Sequence, residues 1–364
     1  MNEYGKVVEV FLNCTPFVAY IWGPVKFVLQ VASSWSDSLD ILLSAYEDIG
    51  ERAPSFLRPS VTMKQLGSTK LDRILDKVNA PNCYLDQETS SEHRENLQSG
   101  KWVFDHEEFK QWRNAPAGSN PLLYIHPIPG AGKTTLASVI IETLCAARQP
   151  PTLYFYCRHH QEGKDSFIGI LRGLLAQILS VDQSLATFFS DKFSDYDKRR
   201  FETANAVKEA ADIAFSSQSI SCVLLDGLDE CDPSEAEKVI SWFTSRQQQA
   251  PLGNDGHIRL LCLGQRTDLL QRMLSGARDI SLDTQQRHKE DIKCYIRGKI
   301  QSISADFGLD PNTQNNIVSK VSTVANGMFL YAKVVMDNLA CQYTLDELME
   351  ELSPGVFPDG LDDA

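Results

Sequence analysis

The chain has 364 residues, 43% of them hydrophobic and 23% charged, with 35 Lys plus Arg against 48 Asp plus Glu and a net charge of −13. That length holds two or three domains, and that composition excludes disordered, collagen-like and fibrous chains. The acid excess argues against a general nucleic-acid binder, whose phosphate contacts need clustered Lys and Arg.

Residues 1–84 read as a helical N-terminal domain. From Phe27 the apolar positions Val28, Val31, Trp35, Leu39, Leu42, Leu43 and Tyr46 recur at helical spacing, and a second helix is expected over Val61–Val78. The longest apolar run, Phe17–Ala32, is broken by Gly23, Pro24 and Lys26, so it predicts a buried helix rather than a membrane span. No basic region followed by an apolar core comes after Met1, so no secretory leader is expected. The nine cysteines are an odd number without a C-x-x-C pair, which signals neither a disulfide framework nor zinc and fits a reducing, cytoplasmic setting.

Residues 85–100 are polar and predict a linker or an exposed helix, and an aromatic-rich helical segment with Trp102, Phe109 and Trp112 follows. From 101 to 284 strands alternate with helices. The strand candidates are Leu122–His126, Thr152–Cys157, Ser221–Asp226, Ile258–Gly264 and Asp279–Leu282. They are short and apolar on both faces, the signature of an α/β fold with a parallel sheet buried between two helical layers. Residues 285–353 return to helix, over about 288–304, 312–325, 327–341 and 344–352, and 354–364 read as an acidic tail.

The strongest chemical signal is the run from His126 to Thr135, in which strand, glycine-bearing loop and helix follow in the order of a Walker A phosphate loop. Gly130, Ala131, Gly132, Lys133, Thr134 and Thr135 are the candidate phosphate-binding residues. The glycines let the backbone approach phosphate oxygens, and the helix start turns its positive dipole end to the same spot. Lys133 would neutralise the β- and γ-phosphates of ATP or ADP, and the Thr134 hydroxyl would face Mg²⁺. The motif wants glycine at 127, where this chain has Pro127, a residue with no N–H.

The second element is Cys222–Glu230, an apolar strand ending in Asp226, which would hold Mg²⁺ through water. Asp229 and Glu230 follow in the loop, and one of them could orient an attacking water. Arg266, after the next strand, is placed to sense a γ-phosphate. The pair His159 and His160 suggests metal, but a polar strand end accounts for it better.

These motifs resemble the NACHT ATPases of the STAND class, and within them the fungal nephrocystin-like group. The runs Ile128–Ala137 and Val223–Glu230 carry the resemblance, joined by Ser99–Phe104, Arg172–Gln177, Asp291–Ile296 and Ala325–Ala332. The small residue after the first acid, followed by a paired Asp-Glu, is its more specific part. Tyr20–Phe27 and Ala45–Gly50 resemble a helical domain that precedes NACHT in some fungal proteins.

The family implies a Mg²⁺-dependent ATP/ADP switch with weak nucleoside triphosphatase turnover. The ADP form is closed, and ATP opens it to protein partners or self-oligomerisation. The carry-over gives Lys133 and Thr134 to phosphate and Mg²⁺, Asp226 to Mg²⁺, Asp229 or Glu230 to hydrolysis and Arg266 to the sensor position. The chain departs from the family at the sensor, where Gln265-Arg266-Thr267 stands for Ser-Arg-Pro. GTP in place of ATP stays open, because base choice is not written in phosphate motifs. Two alternatives remain: a non-catalytic scaffold whose nucleotide site has decayed, with Pro127 as its first sign, and a P-loop kinase of small molecules or nucleic-acid ends.

Overall fold

The computed structural model describes residues 71–358, apart from 93, 95, 97, 117–120, 148–149, 193–200, 202, 219, 250–256 and 354–356. The expected helices over Phe27–Tyr46 and the start of Val61–Val78, the run Phe17–Ala32, the resemblances at Tyr20–Phe27 and Ala45–Gly50, and the end of the acidic tail lie outside those residues. Of Val61–Val78, residues 71–78 are described and are helical. The fold below is that of the unit from Arg73 onward.

Five strands form one parallel sheet, β1 (Leu122–His126), β2 (Thr152–Tyr156), β3 (Ile220–Asp226), β4 (His257–Leu263) and β5 (Arg278–Ser281), in the order β2-β3-β4-β1-β5. Leu122 sits beside Leu260, and Leu224 beside Leu261, so apolar residues pair across the middle of the sheet. Every residue of β1 is buried, which only a sheet covered on both faces allows. Each strand lies within about two residues of the expectation from sequence, because five-residue apolar runs between turn signals leave a buried strand as the best solution.

The covering helices follow their strands. Among them α1 (Cys83–Glu92), α2 (Glu107–Arg113), α3 (Lys133–Ala147), α4 (Phe167–Val181), α5 (Gln183–Lys192), α6 (Ala204–Ser216), α7 (Pro233–Gln249) and α8 (Asp268–Met273) surround the sheet. Helix α2 is fixed by Trp112, fully buried, whose indole N–H lies 3.0 Å from both the Pro121 and Leu260 carbonyls. Helix α4 starts at Ser166, whose side chain accepts from the Gly169 N–H.

Helix α1 occupies residues expected as a linker or exposed helix. It packs on α3 and β2 with Cys83, Asp86 and Ser90 buried. Its burial rests on partners far along the chain: Lys164 Nζ lies 2.6 Å from Asp86 Oδ1, and Gln87 reaches the Ser138 carbonyl and the Tyr156 hydroxyl.

Among the described residues, strand β2 lies at the sheet edge and pairs only with β3. On its outer side the buried Gln177 side chain accepts from the Tyr154 N–H at 3.1 Å and donates to the Tyr154 carbonyl at 2.8 Å. One amide thus stands in for the missing neighbour strand. Gln177→Ala should leave both Tyr154 groups buried without partners, at a cost of about 2–4 kcal/mol. Thermal unfolding followed by circular dichroism checks this, and an unchanged melting temperature would show that the amide adds nothing.

The C-terminal helices α9 (Gln286–Phe307), α10 (Pro311–Ala325), α11 (Phe329–Ala340) and α12 (Leu345–Glu351) have their own core, built on Ile292, Ile296, Ile300, Val321, Tyr331 and Met336. Their ends are written in the sequence. Gly308 closes α9 in the left-handed region, Asp310 caps α10 ahead of Pro311, and Thr344 with Glu347 forms a capping box on α12.

Candidate functional site

The loop from Pro127 to Gly132 joins β1 to α3 at the carboxyl end of the sheet. Gly130 has φ +73° and Gly132 φ +86°, conformations that L side chains rarely adopt. The Ile128 N–H is taken by Asp283 Oδ1 at 3.1 Å and the Ala131 N–H turns back to the Ile128 carbonyl at 3.2 Å. The Pro127 position therefore adjoins a donor already committed to the protein. The first N–H groups of α3 have no intrahelical acceptor, which makes that turn an anion seat.

Opposite the loop stands the end of β3. Asp226 is buried, and its carboxylate accepts a hydrogen bond from Thr134 while its Oδ1 meets no other protein group. Burial pushes its pKa up to about 6; Lys133 and Thr134 pull the other way. Gly227 then turns the chain with φ +77°, and a Cβ there would meet the Cys157 carbonyl at 2.7 Å.

The turn brings Asp229 and Glu230 to Lys133. Lys133 Nζ lies 3.0 Å from Asp229 Oδ1 and 3.3 Å from Glu230 Oε1. Burial would lower the lysine pKa, but Asp226, Asp229 and Glu230 together raise it above its ordinary value. His159 joins the same group, its ring 3.2 Å from the Glu230 carbonyl. That contact ties His159 to the acid loop; among the described residues no group of three or more His, Cys, Asp or Glu is placed to hold an ion. An orphaned buried carboxylate oxygen beside a threonine hydroxyl nevertheless fits a hydrated Mg²⁺ bridged to phosphate oxygens, a set that needs few protein ligands.

These residues line part of a cavity of about 520 Å³. Gly130, Ala131, Gly132, Lys133, Thr134, Thr135 and Glu230 form one end of it. Ser99, Gly100, Trp102, Asp291 and Tyr295 also line it, with Asp291 Oδ2 accepting from the Gly100 N–H at 2.7 Å. Trp102 thus has a second face besides packing.

The third wall comes from α11. The Leu330 N–H donates to the Gly130 carbonyl at 2.8 Å, so the C-terminal helices touch the glycine loop directly. His288 on α9 supports that contact through a 3.0 Å bond to the Gly327 carbonyl.

Arg266 is exposed and is not among the lining residues; its neighbour Gln265 is. Sequence reading gave no role to Gln265, His288, Phe329, Leu330 and Lys333. Asp291 and Phe329–Leu330 did fall in stretches that carried the resemblance, but with no role attached.

Residues 98–264 match the family described as Nephrocystin 3, N-terminal. The matched segment runs from the cavity wall at Ser99 to the end of β4 and includes the glycine loop and all three acids. Over 272 residues the chain is 23% identical to the vegetative incompatibility protein HET-E-1 of Podospora anserina, an alignment that covers 72% of this chain and 19% of that protein. The chain therefore spans about a fifth of that relative's length. Among solved structures, the Walker-type ATPase PABY2304 of Pyrococcus abyssi aligns with a TM-score of 0.39 at 14% identity, covering 72% of this chain and 75% of its own. The PCH-2 protein of C. elegans aligns with a TM-score of 0.32 at 11% identity, covering 74% and 68%. Among the described residues, no helix is long and apolar enough to cross a membrane.

Proposed function

We propose that this chain is a Mg²⁺-dependent ATP/ADP-binding signalling switch of the NACHT type, with slow hydrolysis. One observation carries the reading. Lys133, Thr134, buried Asp226 and the pair Asp229–Glu230 converge on a glycine loop that the C-terminal helices grip through Leu330.

The chemistry follows from the groups. Gly130 to Thr135 cradle the phosphates, and Lys133 exchanges its two acids for phosphate oxygens. Thr134 and Asp226 would hold Mg²⁺, which would supply neutralisation of the phosphate charge. Asp229 or Glu230, released from the lysine, orients a water toward the γ-phosphorus and accepts its proton, while the bond from that phosphorus to the β–γ bridging oxygen breaks and ADP and inorganic phosphate leave. The sensor role of Arg266 requires its exposed side chain to turn across Gln265. Because α11 rests on Gly130, a change in phosphate occupancy displaces the helices, and that displacement is the signal to protein partners or to further copies of the chain. The proposed division is a helical part before α1, a nucleotide domain up to 284 that includes the packed helix α1, the helical domain 285–353 and a tail.

The scaffold reading has Pro127 in its favour. One experiment separates the two. The purified chain is denatured and any released nucleotide identified by chromatography, with thermal stabilisation by Mg-ATP measured in parallel. Stoichiometric ADP or a clear upward shift supports the switch; an empty chain that Mg-ATP does not stabilise supports the scaffold.

A further inference from the structure

We propose that Asp291, on helix α9, selects the base of the nucleotide: it accepts a hydrogen bond from the exocyclic amine of adenine and makes the site prefer adenine over guanine nucleotides. The inference rests on the nucleotide reading and names the base, which the phosphate motifs leave open. A base contact is common to the diphosphate and the triphosphate, so it leaves switching to the phosphate end.

The cavity is polar beyond the phosphate cradle as well. A Cβ at Gly100 would stand 3.0 Å from Leu136 Cδ1, so the segment around Gly100 lies against the residue that follows Thr135 in α3. Two buried polar atoms of this segment, Ser99 Oγ and the Trp102 indole N–H, complete no hydrogen bond within the protein. Both residues line the cavity, and Trp102 is only 7% exposed. A buried donor without an acceptor costs stability, and such groups persist where a ligand completes them.

Asp291 reaches the same wall from α9. Its Oδ2 accepts from the Gly100 N–H at 2.7 Å, and its Oδ1 takes no hydrogen bond from the described residues. Burial raises the pKa of this carboxylate, while the Gly100 N–H and the neighbouring Trp102 indole act against that rise. An open acceptor, Oδ1, therefore lies beside an open donor, the indole N–H.

An acceptor beside a donor matches the edge of adenine that carries the amine and N7. Guanine presents two acceptors there, and its O6 would be set against the carboxylate. The other edge of guanine grips a carboxylate with two neighbouring N–H groups on both oxygens, and here Oδ2 is already committed to Gly100. The arginine in the lining, Arg94, is turned elsewhere: its guanidinium lies 2.5 Å from Glu142 Oε2, and its Nε donates to the Ser91 carbonyl at 3.2 Å.

The test uses the full chain and calorimetric titration with the Mg²⁺ complexes of ATP, GTP and purine riboside triphosphate, which is ATP without the amine. The parent should bind ATP about tenfold more tightly than either of the others, the effect of one charge-assisted hydrogen bond. Asp291→Asn keeps an oxygen for the Gly100 N–H and presents an amide N–H₂ where Oδ1 stood, so an acceptor becomes a donor. The variant should bind ATP about tenfold more weakly than the parent, GTP more tightly, and the amine-free analogue within about twofold. A structural role alone would weaken all three alike. That outcome, or a parent that does not distinguish the three, overturns the role of Asp291 while the parent's binding still supports the phosphate site. If the variant does not fold, the parent's ratio of ATP to its amine-free analogue decides by itself. A parent that binds none of them overturns both readings.

Discussion

Lys133→Ala is expected to lose nucleotide binding by at least about 100-fold, since several charge-assisted contacts to phosphate each contribute about 1.5–3 kcal/mol. The fold should survive, but not unchanged. In the parent the ammonium is nearly enclosed and faces Asp226, Asp229 and Glu230. Its folded pKa is raised above 10.5 by those acids, so its stabilising effect is complete at neutral pH and fades only as pH rises through the raised value. Its removal leaves three carboxylates to repel one another, a cost of about 1–3 kcal/mol. Asp226 also loses the charge that most opposes the effect of its burial, so its pKa should climb further above about 6. The variant should therefore melt lower than the parent by a larger margin at pH 8 than at pH 6. Titration with Mg-ATP and melting curves at the two pH values check both halves. Unaltered ATP affinity would mean that the loop is not a phosphate site.

Asp226→Asn has effects of opposite sign on stability and on metal. The Asp226 carboxylate titrates at about 6 in the folded chain, against an ordinary value of 3.8. The folded state then holds more protons than the unfolded state between those values, so stability falls as pH rises from about 4 to about 6 and is level beyond. At neutral pH the ionised group costs about 3 kcal/mol, since each tenfold change in proton affinity is worth about 1.36 kcal/mol. The neutral amide removes that cost. The nucleotide-free variant should melt several degrees higher at pH 7, about 2–4 °C for each kcal/mol recovered. It should also lose the dependence of nucleotide binding on Mg²⁺. In the parent the proton competes with the ion, so Mg²⁺ should bind more weakly as pH falls below about 6. Differential scanning fluorimetry with and without Mg-ATP gives both readings. A variant that keeps the parent's Mg²⁺ dependence would remove Asp226 from the metal site.

What could be read from the sequence was local. β1 is bounded as its run Leu122–Ile125 with His126 predicts, and Lys133, Thr134 and Asp226 meet because a parallel sheet brings its carboxyl ends to one edge. Helix α1 escaped because CYLDQETSSE has no apolar stripe; the partner that buries Asp86 is 78 residues away at Lys164. The pairing of Lys133 with Asp229 and Glu230 was equally hidden, since each acid alone looks like the start of the next helix. The loop after β4 shows another limit. Strand alternation fixes which side chain faces where only while the strand lasts, and past Leu263 it no longer told Gln265 from Arg266. The residues that α11 contributes come from beyond position 325, where the helical period predicts a helix but not what it touches.

The amide of Gln177 has a consequence for how copies of this chain can meet. An open sheet edge is a template on which a foreign strand can add, and proteins that associate on cue must keep that route shut or they associate without one. Here the middle of the β2 edge is closed by a single side chain within the same fold. At that edge the fold itself therefore opposes the addition of a foreign strand. A chain with Gln177 removed should gain a second, uncontrolled mode of association, irreversible and indifferent to nucleotide.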